Sequence, residues 1–172
     1  SATRGNHGQS VARAAVAAGL GVTIVVPHGN SPGKNAAMRA WGADLVEHGR
    51  DFQEAAEHAA ALAAEHGWHP VPAFHPDLVL GVATYAAELH DQVLDLDVVY
   101  VPIGMGSGVC ANIAVRDLRA LATRIVGVVA AGAPAFALSF AAGRVVTTER
   151  ADTFVDGVAC RTPPAEGVAA VV

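Results

Sequence analysis

The stretch Asp97-Val98-Val99-Tyr100-Val101-Pro102-Ile103-Gly104-Met105-Gly106-Ser107-Gly108 decides how the rest of this chain is read. Its first half is a run of β-branched and aromatic residues with no polar alternation, which fits a strand buried on both faces. Its second half sets three glycines at alternate positions directly after that strand, and helical sequence runs on from Gly108 to about Ala122. A strand, a glycine turn and a helix in that order begin a βαβ unit. In an open parallel sheet, ligands lie beyond the carboxyl ends of the strands, where this turn falls. Glycines let the backbone approach a bulky anion, and successive N–H groups form a concavity suited to phosphate.

Working outward, the same alternation recurs. Gly21 to Pro27 reads as another buried strand, Ala43 to Glu47 as a shorter one, and Arg124 to Val129 as a strong one. His69-Pro70-Val71-Pro72 is a weaker candidate because of its prolines. Helices are expected from Gly8 to Ala18, from Ser31-Pro32 to about Trp41, from Asp51 to His66 and from Asp77 to Leu94. Ser31-Pro32 has the form of an N-cap followed by a proline at the first helical position. Strands alternating with helices imply right-handed crossovers and a mostly parallel sheet. The expected fold class is therefore α/β, with open, mostly parallel twisted sheets carrying helices on both faces. The acidic turn Asp95-Leu96-Asp97 before a fresh strand suggests a boundary, giving units at 1–95 and 96–172.

Composition narrows the function classes. The chain has 172 residues, 52% hydrophobic, with a formal net charge of −5, an acidic balance that argues against a nucleic-acid partner. Ile125 to Gly143 carries no charge, but Pro134 splits it, so strand, loop and buried helix is preferred over a membrane span. Cys110 and Cys160 form no metal or redox pair, and a reducing cytoplasm is the expected setting. Eight histidines lack metal spacing, so no metal is expected. The absence of an initial methionine and the Val171-Val172 ending suggest a chain cut at both ends.

A second polar turn opens the sequence. Ser1-Ala2-Thr3-Arg4-Gly5-Asn6-His7-Gly8 leads straight into an Ala-rich helix, another candidate anion site. The class of phosphate at the Gly104–Gly108 turn is narrowed by exclusion. A dinucleotide fold would want a third spaced glycine where Val109 stands, and an acid at the end of the next strand, where Val128-Val129-Ala130-Ala131 stands. A P-loop would need a Gly-Lys pair, and the only lysine is Lys34. A small phosphate ester survives these exclusions.

Together the two turns resemble the fold-type II pyridoxal-phosphate (PLP) enzymes, most closely the threonine/serine dehydratases. Thr3-Arg4-Gly5-Asn6-His7 is similar to that family's Ser-x-Gly-Asn-His turn, and Gly104-Met105-Gly106-Ser107-Gly108 to its phosphate loop. Between them, Pro27, Ser31 to Asn35, and Arg39-Ala40-Trp41-Gly42-Ala43 resemble a Pro…Lys…Arg-x-x-Gly-Ala run. Phe74-His75-Pro76-Asp77 with Gly81, Thr84 and Glu88 resembles a further segment, and Asp156-Gly157 echoes a late Ala-Asp-Gly. The resemblance implies a two-domain, tryptophan-synthase-β-like fold, incomplete here at both ends, with most of the small domain at 1–95 and the start of the large domain at 96–172. It implies PLP as cofactor, held by Asn6 at the ring oxygen and by Gly104, Met105, Gly106, Ser107 and Gly108 at the phosphate. It implies a small hydroxy amino acid, L-threonine or L-serine, as substrate, its carboxylate met by Thr3, Arg4 and His7, with Gly157 nearby. The implied reaction is a β-elimination to a 2-oxo acid and ammonia. A homo-oligomer is implied as well.

Some features depart from the family pattern. The Schiff-base lysine lies upstream of the matching turn, so this sequence contains no catalytic residue of its own. Lys34 matches a peripheral lysine and is read as surface. Arg4 stands where the family has a small residue, which points toward a bulkier or more acidic substrate side chain. Ala130-Ala131-Gly132-Ala133 lacks the acids that bind an activating cation in some relatives. An amino-acid racemase, a β-replacement synthase and a non-catalytic PLP- or phosphate-binding fragment remain as alternatives.

Overall fold

In the computed structural model, which describes residues 1–172, Thr23–Val26 forms the first strand, β1, and Asp44–Glu47 forms β2 parallel to it. Thr23 faces Asp44 and Val26 faces Glu47 across the ladder. Ala2 adds an isolated parallel bridge to Val25 on the other edge of β1. Because β1 is flanked on both edges, it is the central strand, and its unbroken apolar run fits that place. The period of two sends alternate residues to opposite faces. Ile24 and Val26 pack with Ala12, Met38 and Ala43, while Val25 packs with Ala2 and Ala55. Each such fully buried aliphatic contributes about 1.5–3 kcal/mol.

Three helices cover this sheet. α1 spans Asn6–Ala17, α2 spans Pro32–Ala40 and α3 spans Phe52–His66. Pro32 opens α2 after Ser31, as the sequence indicates. Asp51 caps α3 by accepting from the Glu54 amide at 3.1 Å, and Glu54 reaches back to the Arg50 amide at 2.9 Å. Gly67 ends α3 in the left-handed region, φ 67°. Ala12 and Met38 place α1 and α2 on one face of β1, and Ala55 places α3 on the other.

The chain divides into two compact units, Ser1–Ala73 and Phe74–Val172. The division falls earlier than the expected boundary after residue 95. The reason is the helix α4, Pro76–Gln92, which packs along α5, Ser107–Leu118. Asn112 Nδ2 donates to the Tyr85 hydroxyl at 2.6 Å, and Arg119 pairs with Asp91 at 2.7 Å. His69–Pro72 forms no strand, its prolines being unable to donate to a ladder.

In the second unit, β3 (Val98–Pro102) runs parallel to β4 (Arg124–Val128), with Val98 opposite Arg124. Val101 and Ile103 enter a core with Val109, Cys110, Phe136 and Val168. On the opposite face of β3, Tyr100 is 68% exposed, so burial of this strand is one-sided rather than two-sided. After β4 the uncharged stretch turns at Pro134 into α6, Ala135–Ala142, which buries Phe136. No helix is long and apolar enough to cross a membrane. A 3-10 turn over Asp156–Val158 and a short helix, α7 (Ala165–Ala169), complete the unit.

Candidate functional site

The first unit presents the turn Thr3–Gly8. Its position is fixed by the sheet, because the Thr3 amide donates to the Val25 carbonyl at 3.0 Å and the Val25 amide to the Ser1 carbonyl at 2.8 Å. Thr3 is buried, and its Oγ1 accepts from the Gly5 amide at 3.0 Å and the Gly8 amide at 3.2 Å. That hydroxyl does the capping that Gly5, at the N-cap of α1, cannot do for want of a side chain. The amides of Arg4, Asn6 and His7 have no acceptor within the chain. Three unsatisfied donors at and just before the positive end of a helix suit an anion.

The side chains of the turn divide by burial. Asn6, the first residue of α1, is exposed. His7 is partly buried, its Nε2 3.1 Å from Ser1 Oγ. Burial lowers the His7 pKa below its ordinary value, so the imidazole is neutral at pH 7. Arg4 Nε is buried with no hydrogen-bond partner.

Two features escape a sequence reading. A Cβ at Gly8 would collide with the Thr3 methyl and lie 2.6 Å from Met38 Sδ, so glycine is required for α1 to close on the sheet. Lys34, expected at the surface, is half-buried, and its side chain runs along Gly5: a methyl there would lie 3.2 Å from Cδ and 3.6 Å from Nζ. The only sequence signal for either was the run of small residues at positions 5 and 8.

The second unit presents the turn Gly104–Gly108 at the end of β3. Gly106 is the N-cap of α5 with φ 102°, a conformation that favours glycine, and a Cβ there would lie 2.8 Å from the Phe136 ring. The Ile103 amide is the last to bond outward, to Val128, and the Cys110 amide is the first to bond within the helix, to Gly106. Between them the amides of Gly104, Met105, Gly106, Ser107, Gly108 and Val109 have no acceptor within the chain.

A late segment supports this turn from below. The Gly157 carbonyl lies 2.8 Å from where a Gly104 Cβ would be, and the Met105 carbonyl 3.0 Å from where a Gly167 Cβ would be. Cys160 Sγ is 3.5 Å from Met105 Sδ. Burial pushes the Cys160 thiol up to about 11, and also raises that of Cys110. Gly157 thus joins the Gly104 turn, while Thr3, Arg4, Asn6 and His7 form the separate turn of the first unit. Of the histidines without a place here, His48 and His58 stack on each other at 3.8 Å.

Comparison with known proteins gives a consistent family. A family model described as "Pyridoxal-phosphate dependent enzyme" matches residues 1–172. Threonine dehydratase of Nicotiana attenuata is 38% identical over 160 residues, covering 92% of this chain and 26% of that protein. L-threo-3-hydroxyaspartate ammonia-lyase of Saccharomyces cerevisiae is 33% identical over 155 residues, covering 89% of this chain and 47% of that protein. The solved structure of the processed form of threonine deaminase isoform 2 from Solanum lycopersicum matches with TM-score 0.89 at 33% identity, covering 99% of this chain and 50% of that one. The chain spans from about a quarter to a half of the length of these proteins.

Proposed function

Because this chain belongs to the pyridoxal-phosphate dependent enzyme family, we propose that it is the substrate- and phosphate-binding portion of an ammonia-lyase acting on hydroxy amino acids of the threonine and serine kind. The observation that carries this reading is the run of six unbonded amides from Gly104 to Val109 at the start of α5. That cradle fits a phosphate monoester, because Gly104 and Gly106 leave the backbone bare and the helix dipole favours an anion. The names of the relatives, threonine dehydratase and L-threo-3-hydroxyaspartate ammonia-lyase, support the hydroxy amino acid as substrate.

When bound, PLP supplies an electron sink for the pair left on the substrate Cα. The chain's own residues bind and orient. The Gly104–Gly108 amides, with the Ser107 hydroxyl, would hold the cofactor phosphate, and the backbone of Gly157 packs against Gly104. Asn6 would donate to the oxygen of the cofactor ring. The amides of Arg4, Asn6 and His7 take the substrate carboxylate, and the neutral imidazole of His7 adds a hydrogen bond without adding a competing charge. Thr3 keeps these donors aligned through its two backbone contacts. Loss of the Cα proton and the β-hydroxyl as water would leave an enamino acid, whose imine form takes up one water to give a 2-oxo acid and ammonia. The reading includes a cytoplasmic, homo-oligomeric parent protein.

The test uses the full-length parent protein loaded with PLP. Formation of 2-oxobutanoate from L-threonine and pyruvate from L-serine, followed by coupled reduction of the 2-oxo acid, is the expected result. A PLP-loaded protein that instead racemises these amino acids, or leaves them unchanged, overturns the reading.

A further inference from the structure

One buried side chain ties the first turn of α5 to α4. Asn112 sits on α5 one turn after Gly108 and is 0% exposed. Its Nδ2 donates to the Gly108 carbonyl at 2.8 Å and to the Tyr85 hydroxyl at 2.6 Å. A carboxamide nitrogen carries a pair of hydrogens, and both are used. The Gly108 carbonyl can only accept, so the nitrogen must face it, and the Tyr85 oxygen takes the other hydrogen. That orientation leaves Asn112 Oδ1 buried with no hydrogen-bond partner.

Helix packing alone does not call for this arrangement. A buried acceptor without a donor works against folding, and asparagine is a poorer helix former than alanine. A polar group kept on such terms marks a place where something besides stability is served. The geometry shows what that is. The Gly108 carbonyl and the Val109 amide belong to one planar peptide unit. Fixing the carbonyl therefore fixes the direction of the Val109 N–H, which has no acceptor within the chain. A hydrogen bond to the carbonyl also polarises the unit and strengthens its N–H as a donor. Tyr85, whose hydroxyl lies 3.6 Å from where a Gly108 Cβ would be, braces the Asn112 amide from α4.

We propose that Asn112 is a positioning residue of the Gly104–Gly108 turn. It aligns the Gly108–Val109 peptide unit toward the cofactor phosphate, and Tyr85 holds it in that orientation. The inference rests on the reading of Gly104 to Val109 as a phosphate cradle. It adds to that cradle a side chain inside α5 that acts through the backbone and does not itself touch the cofactor.

The test uses the full-length parent protein freed of PLP, as wild type, Asn112→Ala and Tyr85→Phe. Affinities are measured for PLP, for pyridoxal, which lacks the phosphate, and for inorganic phosphate by calorimetry. Asn112→Ala is expected to weaken PLP and inorganic phosphate about tenfold, and Tyr85→Phe about threefold, the range of one net hydrogen bond. Pyridoxal should change less than about twofold in both. A merely structural role would weaken pyridoxal and PLP alike. That result, or PLP and phosphate binding unmoved in Asn112→Ala, overturns the inference. Should Asn112→Ala fail to fold, Tyr85→Phe, which removes a single oxygen, decides by the same comparison. Wild-type protein that binds PLP no better than pyridoxal and takes no phosphate removes the cradle reading and the inference with it. Phosphate binding present in the wild type and unchanged in both variants removes only the role of Asn112.

Discussion

Thr3 and Gly8 are matched in shape: the hydroxyl oxygen of Thr3 accepts the Gly8 amide at 3.2 Å, and its methyl fills the space a side chain at position 8 would need. Gly8→Ala sets two effects against each other. Alanine gains about 1 kcal/mol of helix propensity over glycine. Overpacking a closed core costs about 1–3 kcal/mol, and here the new methyl would meet both Thr3 and Met38. The clash should win, with a net loss of about 1–2 kcal/mol in urea unfolding. Gly21→Ala is the control, since nothing lies within 4 Å of its position, and it should be neutral or slightly stabilising.

His7 gives the turn a pH dependence with a definite sign. Burial lowers its folded pKa, so below the ordinary imidazole value the unfolded chain binds more protons than the folded one. Stability is therefore full above about pH 6.5 and falls as the pH drops through the lowered value. Unfolding midpoints at pH 7.5 and 5.5 should differ in that direction, and His7→Gln should flatten the difference. A His7 resonance that titrates at or above the free-imidazole value in NMR contradicts this account.

Gly106 is the position where the Gly104–Gly108 turn tolerates a side chain least. Its φ of 102° strains any L side chain, and the Phe136 ring fills the space beside it. Gly106→Ala is expected to weaken PLP binding by the full-length protein at least tenfold, about 1.4 kcal/mol, measured by cofactor fluorescence titration. Gly157→Ala, at a site where nothing lies within 4 Å of a new Cβ, should change it far less. Equal effects would show that the turn geometry does not control the phosphate.

The two cysteines should be silent in the folded chain. Burial raises both thiols, Cys160 to about 11, and the thiolate is the reactive form. A disulfide reagent at pH 8 should leave both unmodified in buffer and titrate both in strong denaturant. Rapid labelling of Cys160 without denaturant would mean that the segment beneath Met105 opens readily.

Much of this was legible because it is locally encoded. β1 and β3 follow from unbroken apolar runs, α2 from Ser31-Pro32, and α3 from Asp51 at one end and Gly67 at the other. The Gly104–Gly108 turn was legible as a strand-to-helix junction because its alternate glycines follow an apolar run and open a helix. The rest depends on partners distant in sequence. The need for glycine at position 8 is set by Met38, and the place of Lys34 by its path along Gly5. The support beneath Met105 comes from Cys160 and Gly167, more than fifty residues on. The compact units part before α4 rather than at the acidic turn 95–97, because the packing of α4 on α5 depends on contacts between residues far apart in sequence.

The parallel ladders also set an order of assembly. Thr23 pairs with Asp44, and Val98 with Arg124, so each ladder closes a crossover of only 21 or 26 positions, by subtraction of the paired numbers. Parallel sheets are ordinarily slow to form because the chain must close long loops before any contact rewards it. Here the bridge from Ala2 to Val25 and the ladder from β1 to β2 are complete once residue 47 has been made. The turn that presents Arg4, Asn6 and His7 can therefore be set on its sheet before the Gly104–Gly108 turn has left the ribosome.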